Sequence, residues 1–523
     1  WLAACVLALW GLGNLPLRDF DEGTVARVAF ELSQQSGEEL LLPTLWDRPY
    51  LNKPPGLHWL ISGAINWSPQ ATISSFKTPS EFVIRVLPAL ISTLVVPLGG
   101  LIQAHLKPRD HLSTLATSFI LLTLLPVVRH GRLAMLDGPQ LSAMALLWLL
   151  LISLDNTRND RWRAIGIGLT SSGMLLMKAP LLIPAALAAG IPIIWGKEYK
   201  LWWRLSLVSW FSFGFLPGIS WHIWHALQRG SDALWLWWGD GAGRVLFDAG
   251  SGSDLGWRVP LIEMTEGGWP WILLWPLAIY WAWHERQKRW GYWCLISQAI
   301  LSISILPLKT QLPWYSHPLW LPFAILCGPS LAWLINRESH KVPPGAFALK
   351  RIPYLWQGLG IAIILSSLLG KSGIIVQLEP YSGIAFTAGT GWFIGGLLLR
   401  MSKKTLREKG ALCLVAGNIF ALGLLMGSSF WIWELNEHWP VAPAAKLISR
   451  SKAIDIAIEG NTERPSLNWY AKKRILPLKE MPNSSWILTQ NPKESKRFAP
   501  NKICLPKDSE EQWTLIFCIN EKN

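Results

Sequence analysis

Carboxylates follow the first apolar run of this sequence at the point where that run ends. Asp19, Asp21 and Glu22 come directly after it, and a pattern typical of an amphipathic helix continues from there. A carboxylate in this position could act as a general base. It could equally cap the helix N-terminus in a solvated loop. The apolar face of the predicted helix consists of Val25, Val28, Ala29 and Leu32.

Lysines recur beside apolar stretches further along the chain. Lys53 precedes two prolines, which favour an extended backbone that could fix its ammonium group or simply mark a helix boundary. Lys178, in MLLMKAPLL, has apolar neighbours on both sides and therefore needs a partner, a water-filled cavity or a path to the interface. Lys309 has a similar setting close to Tyr315. Ammonium groups of this kind can bind phosphate.

A further carboxylate, Asp137, lies in HGRLAMLDGPQ at one end of an apolar run. It could belong to a site, cap a helix or pair with Arg132. The isolated histidines His58, His130 and His317 are more typical of hydrogen-bonded structure than of metal ligation.

Together these residues are suited to one kind of substrate. Carboxylates and several lysines come from separate segments next to apolar surface. A substrate that combines a phosphate with a long lipid tail needs ammonium groups for the phosphate, an apolar groove for the tail and a carboxylate for acid/base work. The pattern therefore favours an enzyme that acts on such a substrate.

The elements that must position these residues are apolar runs of about 20 residues, the length that crosses a bilayer. The 523 residues are 51% hydrophobic and only 16% charged, with a mean hydropathy of +0.27, which excludes disordered, fibrous and disulfide-stapled secreted proteins. We expect an all-α polytopic membrane protein with about thirteen spans. The pair that meets at Lys178 could also be one long, kinked helix. After a first span at 1–17, the others are predicted near 85–106, 111–128, 134–154, 162–178, 180–195, 205–226, 269–283, 290–307, 313–335, 354–370, 383–400 and 410–433.

Charge predicts the orientation of these spans. The 48 Lys and Arg exceed the 34 Asp and Glu, but they form short clusters between apolar runs rather than one stripe, which argues against nucleic acid as a partner. By the positive-inside rule the clustered loops face the cytoplasm. Segments 18–84 and 228–268 and the chain after 433 then lie outside. The basic clusters fall at 107–109, 158–163, 197–204, 286–289, 337–351 and 400–409.

The chain divides by composition near residue 433. We expect a transmembrane domain at 1–433, whose first extracytoplasmic loop (19–84) holds interfacial helices, and a small soluble α/β domain at 434–523. Strands are predicted at 454–458, 486–489 and 515–519. Cys504 and Cys518 are the two cysteines outside apolar runs, and we predict a disulfide between them if the tail is extracytoplasmic, with two buried thiols as the alternative.

Seven short motifs occur in a fixed order. They are Asp-Glu after the first span, K-P-P at Lys53, R-x-x-P-A-L from Arg85, L-D-G-P at Asp137, M-K-A-P at Lys178, then G-G-x-P-W from Gly267 and K-T-Q-L-P-W-Y from Lys309. This order resembles the bacterial aminoarabinose (lipid A) transferase and protein O-mannosyltransferase family over about residues 15–335. The resemblance implies a GT-C type glycosyltransferase of the inner membrane. Such enzymes transfer a sugar from a polyprenyl-phosphate carrier to an envelope acceptor (lipid, glycan or protein) on the outer face.

The resemblance also implies roles for individual residues. Asp21 corresponds to the catalytic base, with Glu22 as its acidic neighbour, and Asp137 to an acid that is associated with a divalent metal ion. Asn52 stands where the aminoarabinose branch typically has Glu, which lowers the charge available for such an ion. Thr24 stands where an Arg is expected. The implied ligands of the carrier phosphate are Lys53, Lys178, Lys309, Arg27 and Tyr315.

Two other classes of function fit some of these observations. A polytopic lipid or sugar transporter or flippase also carries ionisable residues within its spans, although no inverted repeat relates the two halves of this sequence. A structural or assembly subunit with an extracytoplasmic sensor tail would leave the carboxylates and lysines unexplained. The sequence does not specify the sugar or the acceptor.

Overall fold

The computed structural model describes residues 1–523 except 69–77, 155–158, 197–204, 239–242, 244–255, 310, 339–341, 432–440, 452, 454, 461, 495–501 and 521–523. The chain forms two compact units. The first unit consists of 1–12, 51–60 and 85–431, and the second unit of 13–50, 61–84 and 432–523. The fold class expected from the sequence, a largely helical membrane protein with a small C-terminal α/β domain, is confirmed.

The described residues of the first unit form helices joined by turns and loops. Short 3-10 turns at 230–234, 271–273, 313–319 and 376–381 connect or extend its helices. Two helices, Gly56–Trp67 and Glu81–Ser92, contain residues of both units. The other helices of the first unit are Leu2–Leu9, Val95–Leu106, His111–Thr123, Leu125–Gly131, Asp137–Ile152, Asp160–Trp195, Leu205–Arg229, Trp235–Trp237, Arg258–Gly267, Trp275–His284, Arg289–Ile305, Trp320–Ile335, Ala346–Leu349, Ile352–Lys371, Ser382–Leu399 and Lys404–Gly427.

The chain is a multi-pass membrane protein, but the predicted count of about thirteen spans is not confirmed. Among the described residues, six helices are long and apolar enough to cross a membrane, or seven if the bent pair at 111–131 is one span. Several predicted spans are too short or interrupted to meet that length. The first helix has eight residues, Asp137–Ile152 has sixteen, and the apolar stretch at 269–283 divides into a 3-10 turn and a ten-residue helix.

Breaks in the helices have identifiable causes. The bend of 59° between His111–Thr123 and Leu125–Gly131 precedes Pro126, whose ring cannot continue a regular helix. At the turn after Ser92, the hydroxyl of Ser142 donates to the Ser92 carbonyl (2.9 Å) and accepts from the Val95 N–H (3.1 Å). The predicted pair of spans around Lys178 is one helix, Asp160–Trp195, with a break at that lysine, as the alternative expectation stated.

Three arginines of the first unit, Arg85, Arg129 and Arg132, are buried. Arg85 donates to the carbonyl of Leu12 (3.0 Å) and Arg129 to that of Trp431 (3.0 Å). Arg132 donates to the carbonyl of Leu7 at the end of the first helix (2.6 Å). Cations stabilise helix C-termini, where carbonyl groups lack intrahelical partners. The predicted alternative that Arg132 pairs with Asp137 is therefore wrong.

The second unit joins the first loop to the C-terminal tail. Helix Asp21–Gln34 buries Val25, Val28, Ala29 and Leu32 as predicted. A 3-10 turn, Gly37–Leu41, and a two-stranded antiparallel ribbon follow it. The remaining elements are β1 (Thr44–Leu45), β2 (Arg48–Pro49), β3 (Ile456–Ile458), β4 (Leu476–Pro477), β5 (Trp486–Thr489), β6 (Lys502–Glu510), β7 (Trp513–Asn520), helices Val441–Arg450 and Pro465–Ala471, and a 3-10 turn at Pro492–Glu494.

A mixed five-stranded sheet, ordered β4-β3-β5-β7-β6, forms the centre of the tail. β3 is parallel to β4 and β5, whereas β7 is antiparallel to β5 and β6. Its apolar core includes Leu447, Leu467, Leu488 and Leu515. The three predicted strands are confirmed. The predicted disulfide is also confirmed, because Cys504 and Cys518 lie opposite each other in β6 and β7 and are bonded.

Some predicted features lie outside the described residues. They are Arg158, Lys197, Lys200, Arg204 and Lys341 of the basic clusters, Thr310 of the last motif, Glu434 at the predicted domain start, Ile454 at the predicted start of the first strand, and most of 239–255 in the second outer segment.

Candidate active site

The first loop brings Asp21 and Glu22 to the beginning of helix Asp21–Gln34, in the second unit. Phe20 precedes the helix with φ 57° and ψ −68°, a backbone conformation that a non-glycine residue adopts only under constraint. Glu22 is fully buried, and its Oε2 accepts from the N–H of Arg18 (2.8 Å). Asp21 is half-buried. Asp21 is thus the first residue of the helix rather than its cap, and the helix N-terminus favours its negative charge.

Asp19, two residues before Asp21, is held in a different way. Its Oδ1 accepts from the Ser466 N–H (3.0 Å) and hydroxyl (2.7 Å), and its Oδ2 pairs with the guanidinium of Arg464. All three residues are buried. Gly23 packs against the same segment so closely that a Cβ atom there would lie 2.5 Å from the backbone nitrogen of Ser466. Asp19 and Gly23 therefore hold the start of the Asp21 helix against helix Pro465–Ala471.

Tyr50 and Arg27 complete the surroundings of this helix within the second unit. Burial raises the pKa of the Tyr50 hydroxyl, and the negative charge of Asp21 raises that pKa further. Arg27 pairs with Glu31 (Nε to Oε1, 2.6 Å) and stacks over the ring of Trp46 (3.8 Å). The guanidinium of Arg27 is thus engaged inside the loop, and its role as a phosphate ligand remains a prediction.

A second group of predicted residues meets in the first unit. Lys178 donates from Nζ to Oδ1 of Asp137 (3.0 Å), and the same Nζ lies 5.0 Å from the ring centre of Tyr315. Asp137 is 9% exposed and begins helix Asp137–Ile152. Three of the predicted residues, from three separate motifs, are thus brought together. A largely buried ammonium group with one carboxylate and one aromatic neighbour is suited to bind an anion.

The backbone at Lys178 departs from the helix, with φ −149° and ψ 82°. Pro180 follows two residues later, and it has no N–H to offer the carbonyl of Leu176 one turn earlier. Gly56 lies against this carbonyl, because a Cβ atom at Gly56 would be 2.8 Å from the Leu176 oxygen. The glycine after the K-P-P motif thus allows that motif to pack at the break, which brings the segment of Lys53 to the segment of Lys178.

Lys53 lies in a bend before helix Gly56–Trp67, so the prolines of K-P-P precede a helix start. His58, in the first turns of this helix, is fully buried. Burial lowers the pKa of His58 to about 4, a hydrogen bond with the backbone of Pro54 opposes this shift, and the charge of Lys53 adds to it. His58 is therefore neutral at physiological pH and leaves Lys53 as the cation of this segment.

Not all of the remaining predicted residues contact the cluster of Asp137, Lys178 and Tyr315. Lys309 is exposed, and no ion pair is found for it among the described residues, so its role as a phosphate ligand remains a prediction. His317 and His130 are buried with ring centres 5.6 Å apart. The rings of these two histidines pack against each other within the first unit.

The geometry offers little support for a resident metal ion at Asp137. Within the ranges that the structure describes, no three histidine, cysteine, aspartate or glutamate side chains are grouped to hold one. Oδ1 of Asp137 already accepts from an ammonium group, which would repel a second cation at close range. Asn52 is exposed and carries no charge. A divalent metal ion at Asp137 remains a prediction, and the proposed reaction does not depend on one.

An apolar cavity of ≈ 620 Å³ lies between helices Asp137–Ile152, Asp160–Trp195 and Leu205–Arg229. Two of these helices also carry Asp137 and Lys178. Apart from Ser171 its walls carry no polar side chain, and they include Leu147, Leu151, Ile167, Phe211 and Phe215. A groove of this kind is suited to an acyl or prenyl chain.

Comparison with known proteins bears on this arrangement. Residues 50–230 match the family model described as dolichyl-phosphate-mannose-protein mannosyltransferase. Undecaprenyl phosphate-alpha-4-amino-4-deoxy-L-arabinose arabinosyl transferase 1 of Pseudomonas fluorescens (strain Pf-5) is 26% identical over 404 residues, which cover 72% of this chain and 68% of that protein. The corresponding transferase of Erwinia tasmaniensis is 26% identical over 429 residues, or 78% and 71% of the two chains.

The fold of this chain is also similar to that of solved structures. The crystal structure of ArnT from Cupriavidus metallidurans in the apo state matches with a TM-score of 0.74 at 13% identity, covering 98% of this chain and 96% of that chain. The family resemblance is confirmed. ArnT bound to undecaprenyl phosphate matches with a TM-score of 0.72 at 14% identity and the same coverage. These two solved structures and this chain therefore share the same fold.

Residues outside the family motifs also shape the site, and sequence reasoning missed them. Arg464 and Ser466, in the tail, bind Asp19 in the first loop. No local pattern links positions so far apart. Gln140 donates from Nε2 to the carbonyl of Lys178 (3.1 Å). This residue does have a local signal, because it follows Asp137 by three residues and so lies on the same face of one helix.

Proposed function

We propose that this chain is a membrane-embedded glycosyltransferase that transfers a sugar from a polyprenyl-phosphate carrier to an acceptor in the cell envelope. One observation carries the proposal. Lys178 is held by Asp137 at a helix break, and the two helices that carry these residues also line an apolar cavity. An ammonium group for a phosphate and an apolar groove for a lipid tail match the two chemical parts of the carrier. The relatives named as undecaprenyl-phosphate aminoarabinose transferases support this reading.

The proposed chemistry is a direct displacement with inversion at the anomeric carbon. The acceptor oxygen forms a bond to that carbon, and its proton passes to the carboxylate of Asp21. The bond between the anomeric carbon and the phosphate oxygen breaks, and its electron pair leaves with the polyprenyl phosphate. The leaving phosphate is already acidic, so no general acid has to protonate it. Lys53 and Lys178 stabilise the charge that grows on its oxygens.

We propose that the first loop and the tail lie on the extracytoplasmic side of the inner membrane. The positive-inside rule and the predicted alternation of basic loops support this orientation. The disulfide between Cys504 and Cys518 is consistent with an oxidising compartment. The acceptor, whether a lipid, a glycan or a protein, is then an envelope component that is reached from outside. Labelling of Lys472→Cys, at an exposed position, by a membrane-impermeant thiol reagent in spheroplasts tests the orientation. Protection of that cysteine would contradict it.

A transfer assay tests the function. The full chain, purified in detergent, is incubated with a polyprenyl-phosphate sugar and an envelope lipid extract, and the release of free carrier phosphate is measured. We expect release by the parent chain, and a loss of about 10² to 10⁴ in turnover for Asp21→Asn with carrier binding retained. Lys178→Ala should weaken carrier binding as well as turnover, because its charge also acts before the reaction.

Lys371→Ala is the matched control, since Lys371 is an exposed lysine at the end of another helix. It should behave like the parent chain. Transport of the carrier without release of free carrier phosphate would instead identify a flippase. If Asp21→Asn stays folded and keeps turnover within about threefold of the parent chain, the assignment of the base is wrong.

A further inference from the structure

The break at Lys178 leaves backbone carbonyl groups without their regular helical partners. Residues 179–181 can no longer donate regularly to 175–177, and Pro180 has no N–H at all. Inside a membrane such groups must be satisfied by neighbouring helices. For the carbonyl of Leu175, a ring nitrogen of His222 takes this role (3.3 Å). The break is therefore a supported feature of the fold rather than a loose segment.

Gln140 supports the same break from the other side. Its Nε2 donates to the carbonyl of Met174 (3.1 Å), before the break, and to the carbonyl of Lys178 itself (3.1 Å). Its side chain is fully buried. One amide group thus joins the last regular turn of the helix to the residue at which the helix breaks, and it constrains the backbone conformation of Lys178.

The same helix face holds the other end of the lysine. Gln140 follows Asp137 by three residues, so both side chains point to Lys178 from helix Asp137–Ile152. Asp137 contacts Nζ (3.0 Å), and Gln140 contacts the backbone carbonyl. A lysine side chain has many rotamers, and holding its backbone and its ammonium group from one rigid helix removes much of that freedom.

We propose that Gln140 is a positioning residue that acts through Lys178 to place its ammonium group for the carrier phosphate. The proposal rests on the proposed function, in which Lys178 binds that phosphate. Without the two hydrogen bonds, the carbonyls of Met174 and Lys178 lose buried donors, and the lysine backbone is free to change conformation. Ordering the ammonium group when the phosphate binds then costs conformational entropy, and this cost lowers the affinity for the phosphate.

Binding of undecaprenyl phosphate to the full chain in detergent tests this proposal. Gln140→Met keeps the length of the side chain but removes both donor hydrogens. We expect affinity for the phosphate to fall by about tenfold. The matched control is Gln103→Met, because Gln103 is equally buried in the first unit and its side-chain amide has no hydrogen-bond partner within the described part of the chain. This control should bind like the parent chain.

A double-mutant cycle separates positioning from general packing. In a Lys178→Ala background, Gln140→Met should weaken binding by less than about twofold, because the residue through which Gln140 acts is already gone. An equal loss in both backgrounds would overturn the proposal, as would parental affinity in Gln140→Met alone. If Gln140→Met cannot be recovered folded, Gln140→Glu takes its place, since an ionised carboxylate cannot donate to the two carbonyls.

Failure of the proposed function would give a different result. Lys178→Ala alone would then bind undecaprenyl phosphate like the parent chain, and this outcome would remove the basis of the Gln140 proposal as well. If Lys178→Ala weakens binding but Gln140→Met does not, the function stands and only the positioning role is refuted.

Discussion

At the scale of single residues, the first loop contains two carboxylates with different surroundings. Asp19 is buried and bound by Arg464 and Ser466, whereas Asp21 is half-buried at a helix N-terminus next to Tyr50. The sequence predicted that a base lies in this group, and the family resemblance singled out Asp21. The sequence could not predict which of these carboxylates has a purely structural role, because the residues that bind Asp19 lie in the tail.

We expect Asp19→Asn to destabilise the fold. Removing the carboxylate takes the ion partner from a buried arginine, and breaking such a pair typically costs about 3 kcal/mol or more of unfolding free energy. Thermal unfolding in detergent measures this. Asp47→Asn is the control, since Asp47 is exposed in the same unit and its φ of 60° suits asparagine. An unchanged melting temperature for Asp19→Asn would contradict the structural role.

His58 makes a second prediction at this scale, on pH. Its pKa is about 4 in the folded chain and about 6.5 when unfolded, so the unfolded state binds more protons between these values. The stability that neutral His58 contributes is thus fully present above pH 6.5 and is lost as the pH falls toward 4, by at most about 3 kcal/mol. Melting curves across this pH range should show the loss.

The matched comparison uses a second histidine. His58→Gln should flatten the pH dependence of unfolding between pH 6.5 and 4, because no titrating group remains at that position. His111→Gln should leave it unchanged, since His111 is exposed. Parallel pH profiles for the parent chain and His58→Gln would show that another group dominates.

At the scale of elements, the sequence predicted helix types well and helix breaks less well. The amphipathic helix after Asp19, the strands of the tail and the kinked alternative at Lys178 were all predicted from periodicity, proline and composition. The break at Lys178 was visible because a lysine and a proline interrupt an apolar run. The turn after Ser92 could not be predicted. Its hydrogen bonds come from Ser142, and a single serine in an apolar run does not indicate which distant backbone groups it will bind.

Close packing between two elements gives the next prediction. Gly23→Ala would place a Cβ atom 2.5 Å from the Ser466 nitrogen and 2.7 Å from the Pro465 carbonyl carbon, so the two helices must separate. We expect a loss of about 1–3 kcal/mol in unfolding free energy and lower transfer activity, because this contact holds the start of the Asp21 helix. Unfolding and transfer assays on the same preparation measure both.

Gly63→Ala controls for the substitution itself. Nothing lies within 4 Å of a Cβ atom at Gly63, and alanine is favoured over glycine within a helix, so stability should stay equal or rise by up to about 1 kcal/mol. Equal unfolding free energies for Gly23→Ala and Gly63→Ala would contradict the prediction, because the first loop would then accommodate the extra methyl group at position 23 without loss of stability.

At the scale of the whole molecule, composition and charge were sufficient for the class of protein but not for its number of spans. Hydropathy reports that a stretch is apolar, and it does not report whether the helix runs straight through it. The stretches at 134–154 and 269–283 therefore counted as spans, although their helices are short. Long-range pairing between the first loop and the tail was equally invisible, because no periodicity connects segments more than 400 residues apart.

The disulfide in the tail provides a prediction at this scale. Cys504 and Cys518 are 14 residues apart, and closing a loop of this length contributes about 3 kcal/mol in the chain-entropy model. Reduction, or the double change Cys504→Ser and Cys518→Ser, should lower the unfolding free energy of the tail by that amount. Cys413→Ser should have little effect, because Cys413 is a free thiol in helix Lys404–Gly427 of the first unit. Identical denaturation curves with and without reductant would contradict this.

The pairing of Asp19 with Arg464 has a consequence for how the protein is made. The two residues are separated by 445 positions, so the ribosome completes the first loop long before it reaches the cation that this loop requires. Until then the nascent chain holds an unneutralised carboxylate next to the residue assigned as the catalytic base. A chain that is released early cannot complete this loop. We therefore expect a chain that is truncated before Arg464 to lack transfer activity.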